Sequence, residues 1–167
     1  VLHSLAAQKV VSRRVIEQEK FQSSTGEMEW DVKNGTFRLA APTAEAFVLP
    51  AGKTLSGKTF SIASDRQFTP AAAVAMDNRP LAESERILLF HFFPVFNTDQ
   101  RFRDGSLSIV ERWGRPPLLA ERSRITLASR RDLTGFTLFA LDFDGNRLEQ
   151  VSFTGNRIKL ENFRGER

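Results

Sequence analysis

The 167-residue chain contains no cysteine, no tyrosine, and only two histidines and two tryptophans. Without cysteine there is no disulfide scaffold, no thiolate nucleophile, no zinc ribbon and no iron–sulfur ligation, and the redox compartment stays open. Two histidines leave few bases for a nucleophile–base pair. His3 lies in the N-terminal stretch, and His91 sits in the most apolar run of the chain, where burial favours a neutral, hydrogen-bonded core imidazole. No run of about 18 apolar residues occurs, so no membrane span is expected. The longest apolar stretch, Ile87 to Val95, is interrupted by His91 and Pro94 and is of strand length. A Gly-rich phosphate loop and a dinucleotide fingerprint are also missing, so no cofactor is expected. The stretch that opens at Val1 lacks a charged n-region before an apolar core, and the chain does not open on Met. It reads as a mature product or as a piece of a longer polypeptide.

The net charge of +4 and a pI near 10.0 invite a nucleic-acid reading. The positive charges are scattered, however. Residues 1–83 carry 10 basic and 9 acidic side chains, and residues 84–167 carry 14 and 11. The short clusters Arg13-Arg14 and Arg130-Arg131 read as solvated strand ends and turns, and no recognition-helix pattern accompanies them. No nucleic-acid partner is expected.

The patterning that is present is that of strands. Glu27 to Asp31 alternates strictly between polar and apolar, and Asn34-Gly35, a strong hairpin signal, leads to a partner strand at Thr36 to Leu39. Ala46 to Leu49, Thr59 to Ala63, Ala71 to Met76, Ile87 to Phe93, Leu107 to Trp113 and Arg124 to Ala128 read as further strands, with Ile125 and Leu127 on one face. Ile87 to Phe93 is apolar on both faces and is expected at a sheet centre. Asn97 to Gly105 reads as a polar loop, and Gly114-Arg115-Pro116-Pro117 as a strand break. The closing segment, Gly135 to Asn162, reads as three short strands joined by two tight turns. Turn signals every 8–12 residues leave no room for helices between strands. The expectation is an all-β fold, an antiparallel β-sandwich of Ig-like or jelly-roll type with about ten to twelve short strands. Residues 1–22 form a lead-in, helical over 2–8 and then extended, and residues 23–167 form the sandwich domain.

Candidate chemistry is sparse. Glu27, Glu29, Asp31, Glu83, Glu85, Glu111 and Glu121 supply carboxylates of the kind glycosidases pair. Glu27 and Glu29 share a strand face, but read as a solvent-facing row. Asp142-Phe143-Asp144-Gly145-Asn146 has the look of a calcium loop, yet its twelfth position is Phe153 rather than a bidentate Glu, and Asp144-Gly145 is itself a preferred hairpin turn. Asn34-Gly35-Thr36 fits a glycosylation sequon already explained as a turn. No catalytic, cofactor-binding or metal-ligating residue is assigned. Trp30 and Trp113 are the candidate carbohydrate-binding residues, since a flat indole face can stack on a pyranose ring. Fifteen Phe with no Tyr favour core filling, and burial in the inter-sheet core or against a neighbouring domain is the favoured reading of both Trp.

Several phrases in order carry a resemblance: SSTGEMEWDVKNGTFRL (23–39), AAAVAMDNRPLAESERILLFHF (71–92), Asn97-Thr98, RWGRPPLLAERSRITL (112–127) and GFTLFALDFDGNRLEQV (135–151). Together they resemble the non-catalytic C-terminal β-sandwich domain that follows the TIM barrel in a group of bacterial glycoside hydrolase-like proteins. Asn78 stands where that pattern has Gly, and residues 1–22 match no part of it. The resemblance implies a non-enzymatic accessory module that packs on or extends a glycoside hydrolase catalytic domain of the same polypeptide, secreted or periplasmic. Polysaccharide is a further partner if the module binds sugar on its own, as an independent carbohydrate-binding module would through exposed aromatics. Because the family's active site lies on the barrel, no catalytic residue carries over. A self-contained jelly-roll hydrolase and an adhesion module pairing through exposed edge strands are the remaining alternatives.

Overall fold

In the computed structural model, residues 2–10, 12–65, 68–105, 107–120, 124–142 and 144–161 are described. Among these residues the chain is almost entirely antiparallel β-structure in a sandwich-like arrangement, as the turn spacing predicts. The lead-in departs from expectation in one respect. After α1 (Leu2–Ala7), residues 13–18 form a second helix, α2 (Arg13–Gln18), instead of extended chain. Ser12 stands at its N-cap in extended conformation, and Glu19, at φ 51°, closes it. The chain then enters β1 (Lys20–Gln22) at once.

One sheet contains six strands: β1, β2 (Met28–Asp31), β3 (Thr36–Ala40), β4 (Ala44–Leu49), β7 (Thr69–Ala75) and β8 (Ile87–His91), in that spatial order. The expected hairpin at Asn34-Gly35 joins β2 to β3. Gly35 adopts φ 62°, and Asp31 accepts hydrogen bonds from the backbone and side-chain amides of Asn34, both at 2.9 Å. Between β4 and β7 the chain crosses to a second sheet through β5 (Thr54–Ser56) and β6 (Phe60–Ser64). That sheet has the order β16–β13–β6–β5, with β13 at Arg124–Ser129 and β16 at Arg157–Glu161.

The core lies between the two sheets. Alternation along β4 turns Phe47 and Leu49 inward, and β7 contributes Ala71 and Ala73. The opposing sheet supplies Phe60, Ile62, Ile125, Leu127 and Ile158. The small residues of β7 let the opposing side chains come close, as their composition suggests. Each fully buried Phe or Leu contributes about 1.5–3 kcal/mol relative to exposure. Leu81 closes one end of the core at 0% exposure. It sits in the Asp77–Arg86 loop, whose Asp77 carboxylate accepts the Glu85 N–H at 2.8 Å, while Arg131 donates to the carbonyls of Leu81 (2.8 Å) and Ser84 (2.6 Å). The Asn-Arg-Pro-Leu-Ala-Glu-Ser phrase is therefore a plug.

Three expectations require correction. Strand β8 is not central; it is the edge of the six-stranded sheet. Its apolarity on both faces reflects a core on one side and an apolar outer face on the other, not a neighbour on each edge. The segments read as a loop, 97–105, and as a break, 114–117, belong instead to a ribbon together with the expected strand at 107–113, which holds β11 (Val110–Arg112). In it β9 (Val95–Thr98) pairs with β12 (Arg115–Ala120), and β10 (Arg101–Phe102) pairs with β11. Pro116 and Pro117 do not break β12, because they fall in the register shift between Arg115 and Leu118, where the ladder needs no N–H from them. The three closing strands also do not form one meander. Among the described residues, strand β14 (Leu138–Leu141) pairs with β15 (Arg147–Val151) alone, and β16 joins β13 in the second sheet.

Candidate functional site

Cross-strand partners project to the same face of a sheet. The register of the six-stranded sheet therefore sorts its side chains without ambiguity. One row runs Gln22, Glu29, Arg38, Phe47, Ala71, His91. At β4, β7 and β8 this face is the core. At β1–β3 it is polar, and Glu29 lies 3.2 Å from Lys20 and 3.8 Å from Arg38. The opposite face carries the rows Phe21–Trp30–Phe37–Val48–Pro70, Met28–Leu39–Ala46–Ala72–Phe90 and Ala44–Val74–Leu88. No charged residue interrupts these rows, and none of their members is buried. The strict alternation at 27–31 thus points its apolar side chains away from the sandwich core.

Trp30 lies in the first of these rows. It is 54% exposed, and its ring tilts against Phe21 with centroids 6.1 Å apart. At the other edge of the face, the Phe90 and Phe92 rings stack at 5.7 Å and 4°, and Phe92 is 53% exposed.

Trp113 is 71% exposed. It stands where β11 turns into β12, on a ribbon in which no described residue between Val95 and Ala120 is buried. The turn beneath it is braced. Asn97 Nδ2 donates to the Trp113 carbonyl at 2.9 Å, Thr98 Oγ1 to the Pro117 carbonyl at 2.8 Å, and Arg112 Nε to the Asp99 carbonyl at 2.9 Å. Gly114 has φ 75°, and a Cβ there would strike the Thr98 carbonyl. Burial of either Trp in the inter-sheet core is therefore overturned. The two rings stand on different sheets, Trp30 on β2 of the six-stranded sheet and Trp113 between β11 and β12 of the ribbon.

Several of the remaining candidates have structural partners. Asp142 Oδ1 accepts the N–H groups of Asp144 (3.0 Å) and Asn146 (2.8 Å), and Oδ2 accepts Asn146 Nδ2 at 2.9 Å. These bonds hold its carboxyl below the usual carboxylate range and make the motif a turn. Among the described residues no group of three His, Asp or Glu could hold a metal. Glu111 meets Arg103 at 3.5 Å and Glu85 meets Arg79 at 2.8 Å. Glu83 is exposed and Glu27 half-buried. Glu121, Phe143 and Asn162 lie outside the described residues. His3 is exposed on α1, and His91 is half-buried on β8, edge-on to Phe93 at 6.4 Å. Burial pushes the His91 pKa down, with Asp65 opposing. A cavity of about 350 Å³ beneath β14 and β15, lined by Leu133, Phe136, Gln150 and Phe153, contains no acid or base.

One buried charge escaped the sequence reading. Glu45 is 0% exposed, inward on β4. Its Oε1 accepts the backbone N–H groups of Lys58 (2.5 Å) and Thr59 (2.7 Å), and Oε2 accepts that of Phe60 (2.8 Å). The only sequence signal was a lone acidic residue at an inward position of an alternating strand. Its role is to clip the β5–β6 turn to the six-stranded sheet. No protein-family model, curated protein or solved structure matches the chain.

Proposed function

We propose that the chain is a non-catalytic accessory β-sandwich module of a carbohydrate-active enzyme, packing on or extending a glycoside hydrolase barrel of the same polypeptide, secreted or periplasmic. The observation that carries the packing role is the uncharged outer face of the six-stranded sheet, exposed at Met28, Trp30 and Phe92. A sheet buried on one side only normally turns polar residues to solvent. A contiguous apolar face of this extent marks an interaction site. The carbohydrate context rests on the ordered phrases at 23–39, 71–92, 112–127 and 135–151. The module's contribution is physical: it covers an apolar flank and stiffens the enzyme. The test is the 167-residue chain alone on a panel of polysaccharides and oligosaccharides. No release of reducing ends is expected, and turnover of any glycan by this chain would defeat the reading.

A second reading, an independent carbohydrate-binding module, is favoured by one observation: Trp113 presents its indole on a braced turn, so little ordering entropy remains to be lost on stacking. Affinity electrophoresis on soluble polysaccharides tests it. Retardation that persists in Trp113→Ala would remove Trp113 as the platform.

A further inference from the structure

The ribbon from Val95 to Ala120 carries four arginines and no lysine. Its register makes Arg101 and Arg112 direct cross-strand partners, so both project to one face. Like charges directly opposite each other destabilise a strand pair. The Arg101 side chain also has no acidic partner among the described residues. Gly114 brings a third guanidinium to the same place. Its backbone presses on the 97–100 turn so closely that a Cβ would strike the Thr98 carbonyl. The residues beside it therefore flank that turn, with Arg112 Nη2 3.9 Å and Arg115 Nε 3.5 Å from the Asp99 carboxylate. Asp99 is half exposed and shared, so these are weak surface pairs that leave guanidinium donors for a ligand. The knot sets three guanidiniums against one carboxylate, and Trp113 stands between Arg112 and Arg115 in the chain, 71% exposed.

A set of arginines without lysine points to acid groups with paired oxygens. The guanidinium fork meets a carboxylate or sulfate through two parallel hydrogen bonds, whereas an ammonium is a point charge. The exposed indole beside it offers a flat apolar face. An acidic sugar presents both surfaces at once. Single-stranded nucleic acid suits the ribbon less, because it takes a succession of open stacking rings along a basic groove. Here Phe96 and Phe102 pack edge-to-face on each other at 5.7 Å and 76°, and the fourth cation, Arg103, is turned to Glu111 at 3.5 Å.

We propose that this end of the ribbon binds an acidic polysaccharide, Trp113 stacking on a pyranose face while Arg101, with Arg112 and Arg115 beside it, takes the carboxylate or sulfate groups. The proposal rests on the carbohydrate-binding reading and names its ligand class. Affinity electrophoresis of the 167-residue chain tests it on polygalacturonate, the same polymer methyl-esterified, dextran sulfate and single-stranded oligodeoxythymidylate. The expected result is retardation by a polyanionic glycan that weakens as salt is raised. Retardation by polygalacturonate assigns carboxylate and is about tenfold weaker with the ester; retardation by dextran sulfate alone assigns sulfate. Arg101→Ala should weaken binding about tenfold without lowering the urea midpoint, since it also removes the like-charge opposition. Arg79→Ala, which deletes a cation from the Asp77–Arg86 loop, should leave binding unchanged. Equal retardation by acid and ester, lost in Trp113→Ala but not in Arg101→Ala, overturns the acidic class and leaves the sugar-binding reading intact. Equal losses in Arg79→Ala and Arg101→Ala overturn the site in favour of net charge, and tighter binding of the oligonucleotide overturns it in favour of nucleic acid. No retardation by any of these polysaccharides overturns the proposal, and none by neutral polysaccharides either defeats the sugar-binding reading with it.

Discussion

Replacing Glu45 tests the internal logic of the sandwich most directly. Its carboxylate is buried at 0% exposure and accepts three backbone N–H groups, two on Oε1 and one on Oε2. Glu45→Ala leaves all three donors without an acceptor. An unsatisfied buried donor costs about 1–3 kcal/mol. Relief of carboxylate desolvation offsets part of the sum, giving a net loss of about 3–5 kcal/mol, as for other disrupted buried charges. Glu45→Gln keeps an oxygen for Lys58 and Thr59 and confronts only the Phe60 N–H with an amide donor, so about 1–3 kcal/mol is expected. Gly57 supplies an independent check, because a Cβ there would run into the Glu45 carboxylate. Gly57→Ala should therefore destabilise the wild type yet cost less in the Glu45→Ala background, with a coupling above about 0.5 kcal/mol. Urea unfolding followed by circular dichroism reads all four variants. A domain of this kind has about 5–15 kcal/mol in total. If Glu45→Ala abolishes folding, the Gln variant and the Gly57 comparison still decide. A Glu45→Ala loss below about 1 kcal/mol, or a Gln variant as damaging as Ala, would refute the three-bond account.

Three further outcomes follow from the packing. Phe47→Ala removes a core ring at 1% exposure and should cost about 3–5 kcal/mol in urea midpoint analysis, whereas Trp30→Ser, on the open face, should stay within about 1 kcal/mol. Burial lowers the His91 pKa in the folded state, so the unfolded chain takes up its proton first. Stability from this site is complete above the unfolded value near 6.5 and falls as pH drops through it; His91→Gln should flatten that slope, and an unchanged slope would count against it. Gly114→Ala combines positive φ with a collision at the Thr98 carbonyl. It should expose the 95–120 ribbon to limited proteolysis while leaving the global unfolding midpoint close to wild type.

Local signals carried the strand inventory well, because period-two alternation and turn residues act within a few positions. Ile125 and Leu127 are both buried, and Asn34-Gly35 turns as its chemistry requires. Pairing order was not legible in the same way. The strand at 87–91 looked central because periodicity reports which faces are apolar and says nothing about edges. The closing segment looked like one meander because adjacency in sequence favours hairpins. Yet Ile158 completes the core only if β16 crosses to β13. The candidate surface was half legible. The alternation at 27–31 marked Met28 and Trp30 as co-facial, but only the register with Phe37, Ala46 and Ala72 shows that their face is the one away from the core. Glu45 was hidden because its partners are backbone groups in a turn more than ten residues away.

The exposed ribbon from Val95 to Ala120 lies inside the strand pairing of greatest sequence separation among the described residues. Strand β13 reaches β6 across the 67 positions that separate Ser61 from Ala128. Loop-closure entropy grows only logarithmically, by about 0.6 kcal/mol per doubling of length. Residues added to or removed from the ribbon therefore change native stability little. They act instead on the rate at which β13 finds its place, since long-range pairing slows folding. The ribbon is thus the stretch where chain length can vary most freely at nearly constant equilibrium stability, with folding speed as the quantity that responds.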